Sequence, residues 1–396
     1  MRNKSNSGFT LIEMLVAIAV GVIVVGVGVS IYKQAQDSTT YVTQRTTVQG
    51  NARTALNQLT QDLNLAGYGV PISGVQVPSA AGFFCSTGSG AYAYSCPATM
   101  PGFPVITGQP TATGIMPGSG AGVVLNGNKT DAITIAYVDS APTFYMDNPT
   151  NTAGFDSHPL LQATVSGGTT TLGFDAANTY PAINDAKWGF KAGDLVLVSN
   201  GTGSAIGEVT AAPTATSLLL GGGDPMNLNQ DFNTIASVPK LLGFGSGTQL
   251  YNAGKGPLPT TTVTRLYLVT YYVQYDPLAQ ASGTSAQSPR LYRMVNGDSG
   301  HNPPVPVAEQ ISNLTFTYNL FNVVCGGSQL ANQETLTSTS QIPLIKTVSA
   351  YVTAASTLGT TALPGQTIQQ VPLSTSVSPR NLSYYDSYSA VSNGTC

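Results

Sequence analysis

Nothing constrains the folding of this chain more than the apolar run near its start: from Met14 to Tyr32 no side chain is charged, and the next charge is Lys33. As an α-helix this stretch reaches ~30 Å, the thickness of a bilayer's hydrocarbon core. A segment of that length and composition can span a membrane. Arg2 and Lys4 precede it, and by the positive-inside rule they hold the extreme N-terminus in the cytoplasm and send everything after Lys33 outward.

Two ordinary readings of such a segment fit poorly. A cleavable secretory signal needs a small-residue site after the apolar run, yet Ala17-Ile18-Ala19 lies inside it. A plain anchor leaves Glu13 unexplained, because a carboxylate among apolar membrane residues costs ~3 kcal/mol on insertion scales. That carboxylate calls for a partner. A cut after Gly8 would create a new amino terminus at Phe9, four residues ahead of Glu13, and the terminal ammonium of a neighbouring chain could then pair with it. Such pairing lets helices assemble side by side.

The hexapeptide Gly8-Phe9-Thr10-Leu11-Ile12-Glu13 resembles the prepilin-peptidase site of type IV pilins and related pseudopilins. The resemblance implies that Gly8 ends a leader of residues 1–8 and that Phe9 becomes the N-methylated first residue of the mature protein. It also implies that Glu13 aids docking of the subunit into a filament.

Beyond the membrane run the helical pattern continues, with Val48, Ala52, Ala55, Leu56, Leu59, Leu63 and Ala66 recurring at three- and four-residue steps. That stripe predicts packing on a sheet. Gly67 is placed for a left-handed cap and Pro71 bars continuation, so the helix is expected over residues 9–66, with 9–32 its transmembrane half. Gly21, Gly26 and Gly28 each cost ~1 kcal/mol relative to Ala. They either allow local unwinding inside a filament or permit close helix packing.

Residues 67–396 have the composition of a β-rich domain exported from the cytoplasm. Only 8% of the whole chain is charged, whereas 43 Gly and 25 Pro supply turns, and 19 Tyr outnumber Phe and Trp together. Strands are expected at Ala132–Val138, Asp194–Val198, Ala205–Val209, Ser217–Leu220, Thr262–Tyr275, Arg290–Val295, Leu314–Tyr318, Ile345–Thr353 and Gln370–Val377. Pro372 demotes the last to a sheet edge. In Thr262–Tyr275 one face carries Val263, Tyr267, Val269, Tyr271, Val273 and Tyr275, broken only by Arg265, which suits a long central strand. Residues 72–128 read as irregular surface, 140–190 as an insertion, and 278–289 and 326–341 as hairpin loops. The fold class is therefore α+β, a long N-terminal transmembrane and filament helix packed on a β-rich C-terminal globular domain.

Four cysteines, Cys85, Cys96, Cys325 and Cys396, show no metal-ligand spacing, and an even number outside the cytoplasm favours disulfides. Of three possible pairings, Cys85 with Cys96 closes a short loop and Cys325 with Cys396 ties down a chain terminus. By the loop-closure argument these crosslinks contribute ~3 and ~4 kcal/mol.

The resemblance narrows along the chain. Arg53, Asp62-Leu63 and Ala66-Gly67-Tyr68 are similar to the helix end of PilW-like minor pilins, although Asn64 stands where that family often has a basic residue. Collinear with them run Thr130-Asp131-Ala132-Ile133-Thr134, Gly193-Asp194-Leu195-Val196-Leu197-Val198, Leu291-Tyr292-Arg293, Val307-Ala308-Glu309 and Ser374-Thr375-Ser376-Val377-Ser378-Pro379-Arg380-Asn381. The resemblance implies a minor pilin that primes type IV pilus assembly and sits at or near the tip. Its implied partners are other minor pilins, the major pilin, the prepilin peptidase, the inner-membrane assembly platform and a tip adhesin. It places the protein in the inner membrane before assembly and on the cell surface afterwards, in filaments that serve adhesion and twitching. The alternatives are a J-type pseudopilin of a type II secretion system and an adhesive module exposed at the tip.

Catalytic signatures are missing: there is no Gly-x-Ser-x-Gly, no His-Glu-x-x-His and no Gly-Lys-Ser/Thr phosphate loop. No enzyme activity and no cofactor are expected. His158 and His301 lie far apart in loop-like sequence, as surface residues. Loss of the leader leaves 13 of the 15 basic residues against 18 acidic ones, a charge of −5 that offers no footprint for phosphate backbones and excludes nucleic acid as the main ligand. Asp224, Asn227, Asn229 and Asp231 gather four oxygen ligands of the kind Ca²⁺ takes. Their spacing is not that of an EF-hand, and Asx-rich turns also arise for backbone reasons alone. Trp188 and the Tyr92/Tyr94 pair could stack on glycans or on a partner protein, with burial the expected fate of Trp188.

Overall fold

A computed structural model describes residues 9–78, 81–82, 105–106, 109–125, 127–139, 144–145, 162–166, 169–174, 182–199, 203–229, 262–275, 289–297, 303–320, 330–336, 339–356, 370–379 and 381–382. One unbroken helix, Leu11–Leu65, carries a β-rich domain. It runs straight through Gly21, Gly26 and Gly28, where an added Cβ would meet no atom of the chain within 4 Å. No unwinding is present in the single chain. After the apolar start, Thr39, Thr43, Thr46, Thr47 and Thr54 each donate a hydroxyl hydrogen bond to the carbonyl four residues back. Those bonds satisfy the hydroxyls without help from the domain.

Where the helix reaches the domain its buried residues are Val48, Ala52, Ala55, Leu56, Leu59, Asp62 and Leu63, the predicted stripe plus one carboxylate. They lie against the strands Gln370–Val377, Ile345–Ala355, Val305–Glu309 and Ala132–Val138. The end of the helix is fastened tightly. Gly67 adopts a left-handed φ of 76° and donates its N–H to Ala136 O at 2.8 Å. Gly114 comes so close that a Cβ there would stand 2.6 Å from Gly67 Cα, so both positions need glycine.

The domain is built on two antiparallel sheets. In the eight-stranded one the central strand is Thr262–Tyr275. One of its edges pairs with Ala132–Val138 and Phe144–Tyr145, and Ile115–Gly118 lies beyond. Its other edge pairs with Leu195–Ser199 and Pro289–Val295, followed outward by Ser204–Glu208 and Val305–Glu309. Val269, Tyr271 and Val273 face the helix and belong to its core cluster. Leu266, Leu268 and Tyr272 on the opposite face are buried too, in two further clusters, so the strand is covered on both sides. The four-stranded sheet runs Leu330–Gln333, Ile311–Leu320, Ile345–Ala355, Gln370–Val377. Its last strand is an edge, with Pro372 opposite Thr353.

Several expectations are revised. Residues 72–128 contain short strands, among them Gln109–Ala112 and Ile115–Gly118. Ile115 and Met116 are buried because the latter strand pairs with Ala132–Val138. The stretch 140–190 includes the hairpin Gln162–Ser166 and Thr169–Gly173, which joins Ser217–Leu220 in a small sheet. Within 326–341, Leu330–Gln333 is a strand. Val305–Glu309 is another strand that the alternation did not suggest, since Val305, Pro306 and Glu309 are all exposed.

Candidate functional site

The first candidate is the helix start. Thr10 is its N-cap and Glu13 its third residue, and together they form a capping box. Glu13 N donates to Thr10 Oγ1 at 3.4 Å, and Glu13 Oε2 accepts from Thr10 N at 3.0 Å and from Thr10 Oγ1 at 2.9 Å. Glu13 thus has a partner within its own chain, held over the first turn. The spacing Thr10-x-x-Glu13 is the signal by which the sequence could have shown this cap, where Glu13 was given only a partner in another chain. Phe9 stands 85% exposed just ahead of it. Gly8 and the leader lie outside the described residues.

The second candidate is the junction of helix and domain, which the sequence did not assemble. Asp62 is 4% exposed and faces the central sheet. Arg293 grips it with two hydrogen bonds, Nε to Oδ2 at 2.7 Å and Nη2 to Oδ1 at 3.3 Å, and the Tyr271 hydroxyl donates to Oδ2. Burial disfavours the Arg293 cation, but the hydrogen bond and charge of Asp62 outweigh it and raise its pKa. Burial pushes Tyr137 beside this group up to about 12, and Tyr271 is also raised, by burial first and then by Asp62. All these hydroxyls stay protonated. Asp62 and Arg293 belong to two of the short matches along the chain, separated by 231 positions, and no local signal could pair them. The arrangement is a clasp, with a buried charge on the helix gripped by a fork from the sheet.

Two more of those matches hold polar anchors. Asp131 Oδ1 accepts from Gly120 N at 2.6 Å and Oδ2 from Phe316 N at 2.9 Å, which ties the eight-stranded sheet to the four-stranded one. Burial raises its pKa against the pull of those two N–H groups. Arg265, the break in the apolar face, pairs with Asp194 at 3.1 Å and Asp139 at 3.6 Å. Its guanidinium lies 5.1 Å from the centre of the Phe190 ring.

Other predicted residues fall elsewhere. Trp188 is 46% exposed rather than buried, because Asp185 Oδ1 accepts from Lys187 N and Trp188 N and folds an outward turn. The Lys187 ammonium sits 4.7 Å from the centre of the indole ring. Asp224, Asn227 and Asn229 share one turn, with Asn227 at φ 52°. Asp231, Cys85, Cys96, Cys325, Cys396, His158, His301, Tyr92 and Tyr94 lie outside the described residues. Among the described residues, no group of three or more His, Cys, Asp or Glu side chains is placed to hold a metal ion.

Residues 3–29 match the prokaryotic N-terminal methylation motif. This is the type IV pilin-like prepilin signal, a motif that suggests a structural role, and it supports a type IV pilin or pseudopilin-like protein. Such a signal implies processing by prepilin peptidase and assembly with other pilins at the membrane. In agreement, Leu11–Leu65 has the length and apolar composition to cross a bilayer, and its most apolar window is wholly exposed in the chain. No curated protein and no solved structure matches the chain.

Proposed function

We propose that this protein is a minor pilin of the PilW-like kind, which primes type IV pilus assembly and is incorporated at or near the tip. The observation that carries the reading is the bare apolar half of the helix behind a prepilin signal. Phe9, Leu11, Ile12, Met14 and Leu15 are each more than 60% exposed, so a bilayer or other helices must cover them. The clasp at Asp62 makes that helix one body with a large β domain, so force or position at the membrane is transmitted to the domain. Glu13, held by Thr10 over the first turn, lies at the end where cleavage after Gly8 would leave an ammonium. Pairing with a neighbour's terminus exchanges the Thr10 bonds for a stronger charged one. The leader is taken as residues 1–8 and the chain as running N-in, C-out, with Cys85–Cys96 and Cys325–Cys396 joined outside the cytoplasm.

The deciding experiment counts filaments by electron microscopy after deletion of this protein. A primer predicts few surface pili with major pilin accumulating in the membrane. Abundant normal pili with lost attachment would overturn priming in favour of an adhesive tip module. Loss of protein secretion with pili intact would favour the pseudopilin reading. Terminal sequencing of wild-type protein should read Phe9, and a bulky residue in place of Gly8 should leave Met1, because the peptidase needs close backbone approach there.

A further inference from the structure

The four-stranded sheet has a second face, turned away from the helix. In Ile311–Leu320 and Ile345–Ala355 alternate residues point to opposite sides. Leu314, Phe316, Val348, Ala350 and Val352 enter the core cluster under the helix, so Thr315, Ser349, Tyr351 and Thr353 lie on the outer side. The register sets Tyr351 between Thr315 on one neighbouring strand and Ser374 on the other. Farther along this face the hydroxyls satisfy one another, Ser349 with Ser376 and Thr347 with Ser378, each pair at 3.2 Å. Around Tyr351 they do not. Among the described residues the side chains of Thr315, Tyr351 and Thr353 have no hydrogen-bond partner, and Tyr351 is 40% exposed.

Over these three residues opens a cleft of about 810 Å³, the size of a small-molecule site. Thr315, Tyr351 and Thr353 line it from the sheet, and Lys129, Asn332 and Glu334 line it from the adjoining chain. The Ser119 hydroxyl donates to Glu334 O at 2.8 Å and fastens those adjoining segments together. Two features decide what fits. Apart from Gly120, Phe316 and Pro372, every lining residue carries a polar group, and hydroxyls both donate and accept. The cleft thus alternates hydrogen-bonding groups with the apolar face of one ring and the threonine methyls. Its charges also balance: Lys129 and Glu334 are exposed and opposite in sign, and among the described residues neither has an ion-pair partner. The Asp131 carboxylate is committed to Gly120 N and Phe316 N. Such a site exerts no net pull on a polyanion or a polycation. A pyranose ring meets both terms, because its C–H face packs on an aromatic ring while its hydroxyls exchange hydrogen bonds with Thr315, Thr353 and the Asn332 amide. We propose that this cleft binds a neutral oligosaccharide, with one pyranose ring lying on Tyr351. The stacking residue is not Trp188, over whose ring the Lys187 ammonium sits. This site is independent of the role in pilus assembly.

The test is binding of the solubilised full chain, in a detergent without a sugar headgroup, to immobilised maltotriose, cellotriose, lactose and diacetylchitobiose, with heparin as a polyanionic control. The wild type should be retained on at least one of the neutral sugars. On that sugar Tyr351→Ala should weaken affinity by about tenfold or more through loss of the stacking ring. Thr353→Val keeps the side-chain shape, removes one hydroxyl and should weaken affinity by about fivefold. Trp188→Ala should bind as the wild type does. Both cleft substitutions fall on the outer face of the sheet and should melt near the wild type. Retention on heparin alone, retention on none of the neutral sugars, or undiminished affinity in Tyr351→Ala overturns the proposal. Should Tyr351→Ala not fold, undiminished affinity in Thr353→Val overturns it instead. Pilus number after deletion is read separately, so failure of the sugar site and failure of priming are told apart.

Discussion

The two halves of the long helix share one backbone and yet lie in opposite surroundings. From Leu11 to Thr47 all residues are exposed except the half-buried Asp37 and Gln44. From Val48 onward the facing residues Ala52, Ala55, Leu59 and Leu63 are fully buried against the sheets. The first half is the more apolar, and it is the one left bare. Hydrophobicity alone therefore does not say where a segment packs within its own chain. What distinguishes the second half is a narrow stripe of mixed large and small residues, with a single carboxylate aimed at a guanidinium. A uniformly apolar helix has no preferred face and suits a bilayer, whereas a striped helix suits a sheet.

That contrast can be broken most forcefully at the clasp. Removing Asp62 by Asp62→Ala strands Arg293 and the Tyr271 hydroxyl in the interior and should destabilise the domain by ~3–5 kcal/mol. The measurement is urea unfolding of the solubilised full chain, followed by the near-ultraviolet signal of the buried tyrosines. Joint replacement by Asp62→Leu and Arg293→Met should recover most of the loss; if it does not, the pair contributes more than its own compensation. Next in size, Leu59→Ala should cost ~3 kcal/mol in the same unfolding curve. Val24→Ala in the bare half should fall within ~0.5 kcal/mol. Equal effects at these two positions would erase the distinction between the halves.

A further effect, of a size comparable to the clasp, concerns pH. The folded-state pKa of Glu208 lies near 8, above its ordinary 4.5, so its contribution is full below about 4.5 and is lost as pH rises to 8. The domain should lose on the order of 5 kcal/mol across that window, and Glu208→Gln should flatten the profile of stability against pH. The smallest effect is expected at the helix end. Gly67→Ala forces a side chain into a left-handed φ of 76° and to 3.3 Å from Leu382 Cδ2, for ~1 kcal/mol. Loss of that amount without any change in the bare half would show that the cap belongs to the domain.

Much of the architecture was legible because it is periodic. The helix was expected over 9–66 and runs Leu11–Leu65. Ala132–Val138, Ser217–Leu220, Thr262–Tyr275 and Gln370–Val377 have the expected bounds, since each repeats apolar or β-branched residues over several positions. Ile115–Gly118 was missed because four residues containing Pro and Gly carry no period, and they form a strand only where Ala132–Val138 offers its edge. Trp188 was misplaced because bulk suggests burial, while the local bonds of Asp185 turn it outward. At the helix start the capping box is present in the spacing of Thr10 and Glu13, a short-range pattern that the cost of a carboxylate in a membrane does not reveal.

The sequence by itself determined that a long helix begins near Phe9, that its first half can enter a membrane and that a β-rich domain follows. These follow from periodicity, charge and glycine placement within windows of a few turns, which any short stretch of chain carries with it. Only the tertiary structure decided that Asp62 meets Arg293, that Asp131 ties one sheet to the other and that the Asn229 side chain fastens its turn to the backbone of Glu208. Such pairings join residues up to 231 positions apart. The free energy of a buried charge depends on the group brought beside it by the fold, and that neighbour is written nowhere in the local sequence.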